Sequence, residues 1–414
     1  MENGKNWERN CHTDSRLLTQ SLGDREMIMN GKWKTVKLGD VFTLQMGKTP
    51  DRNKLSYFSK VGNKWISIAD ITKSDKFIKE TKECITDVAV QESGIKKIPQ
   101  NTVIMSFKLS IGKTAITTEE CYSNEAIMAF LPNGLCDFDN NYLYHLFSNK
   151  NWSEGSNKAV KGITLNKESL SNVYIPLPPL ETQQKIAAVL DKVQKIISES
   201  KAILEKYDTL IKSRFIEMFG DPLENNKKWD SKKLENLCEI VRGGSPRPID
   251  KFLGGAIPWI KIGDATIGDD IFLYKTKEHI IEDGIKKSRL ISEGSLIFAN
   301  CGVSLGFARI IKFQGCIHDG WLAFQNIDAS INNIFLLKSI NMCTDYFRRT
   351  APDGTQPNLN TTIMKNFVQI IPPIKLQEEY VSFVQQIDKS KFAVQKSLEK
   401  TETLYKSLMQ QYFA

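Results

Sequence analysis

A heptad-like spacing of apolar residues between positions 175 and 220 is the longest regular pattern in the chain. A long helix with such a seam is expected to pack against a partner helix. Pro178 and Pro179 precede the seam and Gly220 and Pro222 follow it, as is typical of a helix start and stop. At about 1.5 Å per residue, a helix of about 38 residues would be about 55–60 Å long. Apolar or small residues recur in steps of three and four at Leu190, Val193, Ile197, Ser200, Leu204, Tyr207 and Ile211.

The partner is predicted within the same chain, because the pattern returns 194 to 196 positions later. Trp33–Pro50 matches Trp229–Pro246 at an offset of 196, and Lys64–Asp70 matches Pro258–Asp264 at an offset of 194. We interpret this as the duplication of one unit, a globular part followed by a long helix. Two polar residues interrupt the second seam, where they can fix register or reach solvent. This seam comprises Val384, Ile387, Lys391, Val394, Leu398, Thr401 and Tyr405.

Each globular part alternates short β-branched or aromatic runs with Gly, Asn and Pro turns. This mixture predicts two α+β domains, each with a mixed β-sheet. Short helices are predicted at Asn141–Asn149 and Asn333–Met342. Strands are predicted at Trp65–Ile68, Val103–Phe107, Ala126–Leu131, Trp259–Ile262, Leu296–Ala299 and Trp321–Phe324.

The most economical packing of the duplicated chain pairs the two long helices with each other. They would run antiparallel as a coiled coil, with a globular domain at each end and a pseudo-two-fold axis relating the halves. Residues 1–32 lack clear periodicity and are interpreted as a frayed or disordered N-terminal arm. The remaining segments are a first globular domain at 33–178, a first long helix at 179–220, a linker at 221–228, a second globular domain at 229–372 and a second long helix at 373–414.

Composition favours a cytoplasmic protein. The values of 41% hydrophobic and 25% charged residues are ordinary for a globular chain. The N-terminus lacks the basic and apolar segments of a secretory signal. None of the eight cysteines forms a CxxC pair, and the four histidines show no metal-ligand spacing, so we expect reduced thiols and no metal site. The net charge of +8 permits an anionic partner without establishing one.

Signatures of catalysis are absent from the sequence. Two Gly-Lys-Thr triplets, at 47–49 and 112–114, lack the earlier glycine of a phosphate-binding P-loop, because phenylalanine stands in its place. The Pro-Pro pairs follow Leu177 and Ile371, whereas an amino-methyltransferase loop would carry Asn or Asp there. We find no paired Ser/His or Cys/His nucleophile. The sequence therefore predicts a chain without catalytic residues.

Basic and amide residues beside glycine turns are candidate contacts with double-stranded DNA. Lys and Arg can neutralise phosphates, and Arg, Asn and Gln can recognise guanine or adenine in the major groove. Most surface lysines are only solvated, so the group is a weaker signal than the duplication. In the first globular part the candidates are Lys48, Arg52, Lys64, Lys73, Lys76, Lys108, Lys113, Asn157, Lys161, Thr164 and Asn166. In the second they are Arg242, Arg247, Lys251, Lys261, Arg309, Arg348, Arg349, Gln356, Asn358 and Asn360.

The repeated motifs resemble those of the specificity (S) subunits of type I restriction–modification systems. The resemblance covers about Trp33 to Ala414, and includes the glycine-bearing segment Ser110–Ile116. It is carried above all by a Pro-Pro-(Leu/Ile)-x-x-Gln entry into each long helix. The motifs are WKTVKLGDVFTLQMGKTP with its echo WDSKKLENLCEIVRGGSP, and IPLPPLETQQKIAAVLD with its echo IIPPIKLQEEYVSFVQQID.

The resemblance implies a subunit without catalytic residues of its own. Two target recognition domains would each read one half of an asymmetric, bipartite DNA site, and the helix pair would set their spacing. The helices would also dock two methyltransferase (M) subunits, which restriction/translocase (R) subunits join, directing adenine methylation and restriction. S-adenosylmethionine, ATP and magnesium would be bound by these partners, with no cofactor in this chain. Individual base-contacting residues do not transfer, because the recognition domains differ among members.

Two other classes of function stay open at this point. A duplicated protein could act as a protein–protein adaptor or as a DNA-mimic inhibitor, although a mimic should be acidic. A self-sufficient methyltransferase or nuclease is disfavoured by the missing cofactor and catalytic loops. Salt-dependent DNA binding would distinguish a DNA reader from an adaptor.

Overall fold

The computed structural model of the protein describes residues 33–108, 110–152, 157–159, 162–266, 268–351 and 358–413. The predicted N-terminal arm and two candidate DNA contacts, Lys161 and Gln356, lie outside these ranges. The chain divides into two compact units. Unit 1 comprises the residues up to Glu199 together with those from Ser397, and unit 2 comprises Ser200–Lys396. Each unit contains one globular part and portions of both long helices.

Unit 1 is built around two mixed sheets. Its strands are β1 (Thr35–Lys37), β2 (Phe42–Met46), β3 (Phe58–Ser59), β4 (Asn63–Ile66), β5 (Phe77–Ile78), β6 (Glu83–Ile85), β7 (Val103–Ser106), β8 (Thr114–Thr117), β9 (Tyr122–Ser123), β10 (Ile127–Pro132), β11 (Asn157–Ala159), β12 (Gly162–Thr164) and β13 (Tyr174–Pro176). Five strands form a sheet in the order β2-β10-β7-β8-β5, and four form a sheet in the order β3-β6-β4-β9. The pairs β5-β8 and β4-β9 are parallel and the other pairs of these sheets are antiparallel. The pairs β1-β13 and β11-β12 form two-stranded ribbons.

Short helices surround these sheets, and a long helix follows them. They are α1 (Leu38–Val41), α2 (Ile68–Lys73), α3 (Asp87–Ser93), α4 (Asn140–Asn149), α5 (Lys167–Ser171) and the long α6 (Leu180–Phe219).

The central strands of the five-stranded sheet are buried on both faces. Along β7, Val103 and Met105 join a core cluster that includes Phe147 of α4, whereas Ile104 joins a separate cluster that includes Ile66 of β4. Neighbouring side chains of a strand point to opposite faces, so α4 covers one face of the sheet and β4 lies against the other. These strands therefore read as continuous apolar runs in the sequence instead of alternating patterns.

Unit 2 repeats this construction. Its strands are β14 (Ser231–Lys233), β15 (Glu239–Arg242), β16 (Leu253–Ile260), β17 (Phe272–Leu273), β18 (Glu278–Ile280), β19 (Arg289–Ile291), β20 (Leu296–Ala299), β21 (Ala308–Ile311), β22 (Gly315–Ile317), β23 (Trp321–Gln325) and β24 (Val368–Ile370). Its helices are α7 (Glu282–Ile285), α8 (Asn333–Met342), α9 (Thr344–Thr350), α10 (Thr361–Asn366) and the long α11 (Ile374–Phe413).

The five-stranded sheet of unit 2 matches that of unit 1 strand by strand, whereas the four-stranded sheets share three strands and differ in the fourth, β3 beside β6 in unit 1 and β19 beside β22 in unit 2. Its five-stranded order is β15-β23-β20-β21-β17, with β17 parallel to β21. In its four-stranded sheet, β16 lies between an antiparallel β18 and a parallel β22, as β4 lies between β6 and β9. The predicted α+β fold, with mixed sheets in two repeated halves, is confirmed.

Helices α6 and α11 contain 40 residues each. Such helices are about 60 Å long. Helix α6 ends at Phe219, and the amide of Gly220 donates to the carbonyl of Ile216 at 2.8 Å. Gly220 adopts a φ of +78°, a left-handed conformation that favours glycine after a helix. The helix thus ends where glycine and the following proline predict its end.

In unit 1 the first part of α6 packs against the last part of α11. Ile186 and Leu190 share a buried cluster with Met409. The ring of Phe413 lies 5.4 Å from the ring of Tyr142 in α4, measured between centroids. The beginning of one helix meets the end of the other, so the two portions run antiparallel.

In unit 2 the last part of α6 packs against the first part of α11. The rings of Phe215 and Phe219 each lie 5.5 Å from the ring of Tyr380. The Lys391 ammonium lies 2.6 Å from the Asp208 carboxylate. From Asp208 to Phe215 the contacts on α11 move from Lys391 back to Tyr380, so these portions are also antiparallel.

The predicted seam residues line the protected side of both helices. Lys391, which interrupts the second seam, pairs with Asp208 and also lies 3.4 Å from Asp270. Phe215 and Tyr380 are larger buried residues that the seam prediction missed, because they pack into the core of the globular part. Among the seam residues, Leu190, Val193, Ile211, Val384 and Leu398 are buried, and Ile197, Leu204, Tyr207, Ile387, Val394 and Tyr405 are half-buried.

A fully buried glutamine anchors the start of α6 to the globular part of unit 1. Gln183 Oε1 accepts a hydrogen bond from the Asp139 amide at 2.9 Å. Its Nε2 donates to the carbonyls of Pro178 at 2.9 Å and Asp137 at 3.2 Å. Asp139 is the N-cap of α4, so this one amide joins the entry of the long helix to the entry of the helix that covers the sheet.

Gln377 makes the equivalent contacts in unit 2. Its Oε1 accepts from the Asn332 amide at 2.8 Å, and its Nε2 donates to the carbonyls of Pro372 at 2.7 Å and Ser330 at 3.0 Å. Asn332 is the N-cap of α8. The glutamine of the repeated Pro-Pro-x-x-x-Gln motif therefore has the same structural role in both units.

A charged cluster lies beside α11 in unit 2. The Lys338 ammonium lies 3.0 Å from Asp270. Burial alone would raise the pKa of Asp270, but Lys338 and Lys391 outweigh it and lower this pKa to about 2. Burial raises the pKa of Asp388 to about 6, and its Oδ1 finds no hydrogen-bond partner among the described residues. The ionised Asp270 carboxylate therefore stabilises the folded state, whereas the ionised Asp388 carboxylate destabilises it.

Unit 1 has a different polar cluster at its helix pairing. The fully buried His145 lies 2.7 Å from Asp191 through Nε2 and 3.2 Å from the Tyr405 hydroxyl through Nδ1. The Lys76 ammonium lies 2.6 Å from the same Asp191. Burial lowers the pKa of His145 despite its aspartate partner. Lys76, a candidate DNA contact by sequence, is thus engaged inside unit 1.

Replacing Gln183 by Leu should destabilise unit 1 by about 2–4 kcal/mol, because the Asp139 amide and two carbonyls would lose a buried partner. Hydrogen exchange across α4 should accelerate correspondingly. The neighbouring Gln184 is exposed, and Gln184→Leu is the matched control with an expected change within about 0.5 kcal/mol. Equal exchange in the two variants would contradict the anchoring role.

The aspartates beside α11 should respond oppositely to neutralisation. The folded-state pKa of Asp388 is raised, so Asp388→Asn should stabilise unit 2 above pH 6 by about 1–2 kcal/mol after solvent screening, and the gain should vanish below about pH 4. The folded-state pKa of Asp270 is lowered, so Asp270→Asn should destabilise at neutral pH, with the loss fading as pH falls towards 2. Urea unfolding at several pH values measures both, and changes of the same sign at pH 7 would be inconsistent with this assignment.

Candidate nucleic-acid interface

A glycine at the end of the first long strand fixes the course of the loop that follows it in each unit. A Cβ added to Gly47 would lie 2.2 Å from the Asn124 carbonyl oxygen, and one added to Gly243 would lie 2.1 Å from that of His318. Contacts this short exclude any side chain at these positions. The loops that carry several candidate cations are therefore held against the ends of β9 and β22.

Two residues after this glycine, each loop makes a hydroxyl–carboxylate contact that occurs in both units. The hydroxyl of Thr49 donates to the Glu125 carboxylate, and that of Ser245 donates to Asp319 Oδ1 at 2.8 Å. Thr49 and Ser245 are 196 positions apart, and Glu125 and Asp319 are 194 apart. A hydroxyl–carboxylate pair thus closes the base of the loop in both units.

The candidate cations of this loop in unit 1 have internal partners. Lys48 Nζ donates to the Ser93 carbonyl at 2.5 Å. The Arg52 guanidinium pairs with Glu83 at 2.8 Å, and it stacks over the rings of Phe58 and Trp65 at 4.3 and 4.8 Å. Contacts within unit 1 therefore occupy one donor of Lys48 and neutralise part of the charge of Arg52.

The other candidate cations of unit 1 differ in how many contacts they make within the fold. Lys64 pairs with Glu119, Lys73 lies in the last turn of α2, and Lys108 Nζ lies 5.2 Å from the Phe107 ring. Lys113 is exposed just before β8.

The predicted amide and hydroxyl contacts of unit 1 lie near its two-stranded ribbon. Asn157 of β11 is paired in register with Thr164 of β12. Asn166 Oδ1 accepts from the Ser169 amide at 2.7 Å and caps α5. Asn166 therefore has a structural role that was not assigned to it from the sequence, although Asn is among the preferred N-cap residues.

Unit 2 presents its loop cations more openly. Arg247 has an 84% exposed side chain and lies 3.9 Å from Asp319 Oδ2. Lys251 is exposed at the end of a short 3₁₀ turn, Ile249–Lys251. Arg242 Nε donates to the Asp319 carbonyl at 3.2 Å. The Arg247 side chain is therefore more exposed than that of Arg52, the loop arginine of unit 1.

The remaining candidates of unit 2 are tied more closely to the fold. Lys261 pairs with Glu278 at 2.5 Å. Burial lowers the pKa of Arg309, whose guanidinium lies 4.8 Å from the Phe307 ring. Arg348 donates to the Leu305 carbonyl at 3.0 Å, and Arg349 donates to the Asp345 carbonyl at 3.2 Å. Asn358 Oδ1 accepts a hydrogen bond from the Asn300 side chain at 3.2 Å. Asn360 caps α10 by accepting from the Ile363 amide at 2.9 Å.

His318 and Asp319 form a polar pair beside the Arg247 loop that the sequence did not single out. His318 Nδ1 accepts from the Gly320 amide at 3.0 Å, and its Nε2 lies 3.0 Å from Asp319 Oδ1. Burial lowers the pKa of His318, which favours the neutral ring, and Nδ1 is then the unprotonated nitrogen that accepts from Gly320. Only the offset from Asn124–Glu125 in the repeat could have drawn attention to this pair.

Two negative findings limit the chemistry of the described ranges. They hold no group of three or more His, Cys, Asp or Glu side chains that could bind a metal ion. No helix in them is both long enough and apolar enough to cross a membrane.

Comparison with known proteins identifies the repeat. The family described as type I restriction modification DNA specificity domain matches the chain twice, at residues 30–206 and 226–402. The MjaIX specificity subunit of a type I restriction enzyme from Methanocaldococcus jannaschii is 28% identical over 384 residues, which cover 85% of this chain and 86% of that protein. The EcoR124I/EcoR124II specificity subunit from Escherichia coli is 27% identical over 172 residues, which cover 39% of this chain and 40% of that protein.

Two solved structures have a similar fold. A chain from a study of complex assembly in the type I restriction–modification system aligns with a TM-score of 0.59 at 17% identity, covering 92% of this chain and 97% of that one. The type I S subunit from M. genitalium aligns with a TM-score of 0.57 at 13% identity, covering 94% and 98%. With both halves matched by one DNA specificity domain, the chain belongs to the type I restriction–modification specificity subunits, which recognise DNA and are not catalytic.

Proposed function

We propose that each globular part is a target recognition domain that reads one half of a bipartite, asymmetric DNA site. The duplication carries this proposal. The two units share the strand order of the five-stranded sheet, the buried glutamine anchor and the glycine that fixes the loop, whereas their loop cations have different partners. A common frame with different loops suits two domains that read different base sequences.

The long helices are proposed to set the spacing between the two half-sites. Half-sites read from one face of DNA lie about 34–36 Å apart, or a multiple of that distance. A helix of 40 residues is about 60 Å long, which is sufficient to span one such turn. The buried glutamine at the start of each helix favours this role, because it ties the spacer to the domain without a flexible hinge.

The same helices are proposed to dock two methyltransferase subunits, to which restriction/translocase subunits are added. Their outer faces carry exposed apolar side chains such as Ile196, Ile203 and Phe392 beside many charges. In such a complex, adenine methylation and DNA cleavage are reactions of the partners, which would bind S-adenosylmethionine, ATP and magnesium. This chain supplies the choice of sequence, and a cytoplasmic location follows from access to chromosomal DNA.

Mapping methylated adenines in a host with and without this gene tests the proposal. Cells that also express active methyltransferase subunits should gain one new bipartite mark, in which two short fixed sequences flank a spacer of constant length. A stop codon at Trp65, expected to remove the mark, controls for effects of the transcript. Methylomes that are identical with and without the gene would refute the proposed role.

A further inference from the structure

The two units differ at an equivalent tryptophan in their four-stranded sheets. Trp65 of β4 lies opposite Glu83 in the antiparallel neighbour, and Trp259 of β16 lies opposite Glu278. In unit 1 the Arg52 guanidinium pairs with this glutamate and stacks on the tryptophan ring at 4.8 Å. The loop cation of unit 1 therefore covers its tryptophan.

Unit 2 satisfies the equivalent glutamate in another way. Glu278 pairs with Lys261, whose ammonium lies 5.1 Å from the Trp259 ring. Arg247 is consequently not required for that ion pair. A cavity of about 550 Å³ is open here, lined by the loop residues 245–250 together with Trp259 and His318.

Arg247 projects beside this cavity from a constrained position. Its side chain is 84% exposed. Pro246 precedes it and Pro248 follows it, and the proline rings restrict the backbone on both sides. An arginine held in this way loses less conformational freedom on binding than one in a flexible loop.

The Asp319 carboxylate lies beside Arg247, and these two side chains together are called the recognition edge. Asp319 Oδ1 interacts with the Ser245 hydroxyl at 2.8 Å and with His318 Nε2 at 3.0 Å. Its Oδ2 faces Arg247 at 3.9 Å, which is longer than a hydrogen bond and leaves this oxygen able to accept one. The edge therefore presents a guanidinium donor and a carboxylate acceptor side by side.

This mixture of charges favours a base pair over a phosphate. Asp250 lines the cavity and Asp319 adjoins it, and both would repel a phosphate group. In the major groove a G·C pair presents the N7 and O6 acceptors of guanine beside the N4 amino donor of cytosine. Arginine donates to the former and aspartate accepts from the latter.

We propose that Arg247 and Asp319 read a G·C base pair in the half-site recognised by unit 2. The inference rests on the proposed function, since it assumes that unit 2 is a DNA reader. Arg247 was a candidate DNA contact by sequence, whereas Asp319 was not. Unit 1 has no equivalent edge at this place, because Arg52 is stacked and paired there.

The test measures methyl transfer by the complex of this chain with its methyltransferase subunits. The substrates are duplexes carrying the wild-type bipartite site, with each base pair of the two half-sites replaced in turn. Arg247→Ala should reduce discrimination at one G·C pair of one half-site by about 5- to 150-fold, while the other half-site keeps its base requirements. Arg247→Lys should also lose discrimination, because lysine keeps the charge but not the two-pronged donor geometry.

Lys232→Ala is the matched control, since Lys232 is an exposed cation of β14 in the same unit. It should leave discrimination unchanged at every position, and thermal unfolding should show that all variants remain folded. If Arg247→Ala slows methylation equally on all duplexes, or if Arg247→Lys behaves as wild type, the residue contacts phosphate and the inference is overturned. Unchanged discrimination in Arg247→Ala overturns it as well. A wild-type complex that methylates no bipartite site would overturn the proposed function together with this inference.

Discussion

A 40-residue amphipathic helix cannot bury its own apolar seam, and this constraint organises the chain. The duplication resolves it by supplying a second helix of equal length. In unit 1 the beginning of α6 and the end of α11 bury Leu190 and Met409 together, and in unit 2 the opposite ends bury Phe215 and Tyr380. Each globular core therefore extends directly onto helices that come from both halves of the sequence.

The glutamine anchors convert this packing into a defined geometry. Hydrophobic contact is non-directional and would tolerate small shifts of a helix on its domain. A buried amide with three hydrogen bonds tolerates much less, because each broken bond leaves a desolvated polar group. Gln183 and Gln377 thus explain physically why a Pro-Pro-x-x-x-Gln motif occurs at both helix entries: prolines begin the helix and the glutamine fixes it to the N-cap of α4 or α8.

Much of the fold could be predicted because its signals are periodic and repeated. The long helices follow from their heptad spacing, and the central strands from apolar runs such as Leu296–Ala299. Individual contacts could not be predicted in the same way, because they depend on which side chains the fold brings together. Lys76 and Arg52 are candidate cations in the sequence, as Arg247 is. Yet Lys76 pairs with Asp191 and Arg52 stacks on Trp65, while Arg247 remains exposed.

The most direct test of the account is to change the length of the helix pair. Four residues, about one helical turn, would be inserted after Ser200 and again after Val394, lengthening both helices by about 6 Å. We expect the methylated site to keep both half-site sequences while its spacer grows by about one or two base pairs, at about 3.4 Å each. An altered half-site sequence, or an active complex with an unchanged spacer, would contradict the claim that the paired helices hold two independent readers apart.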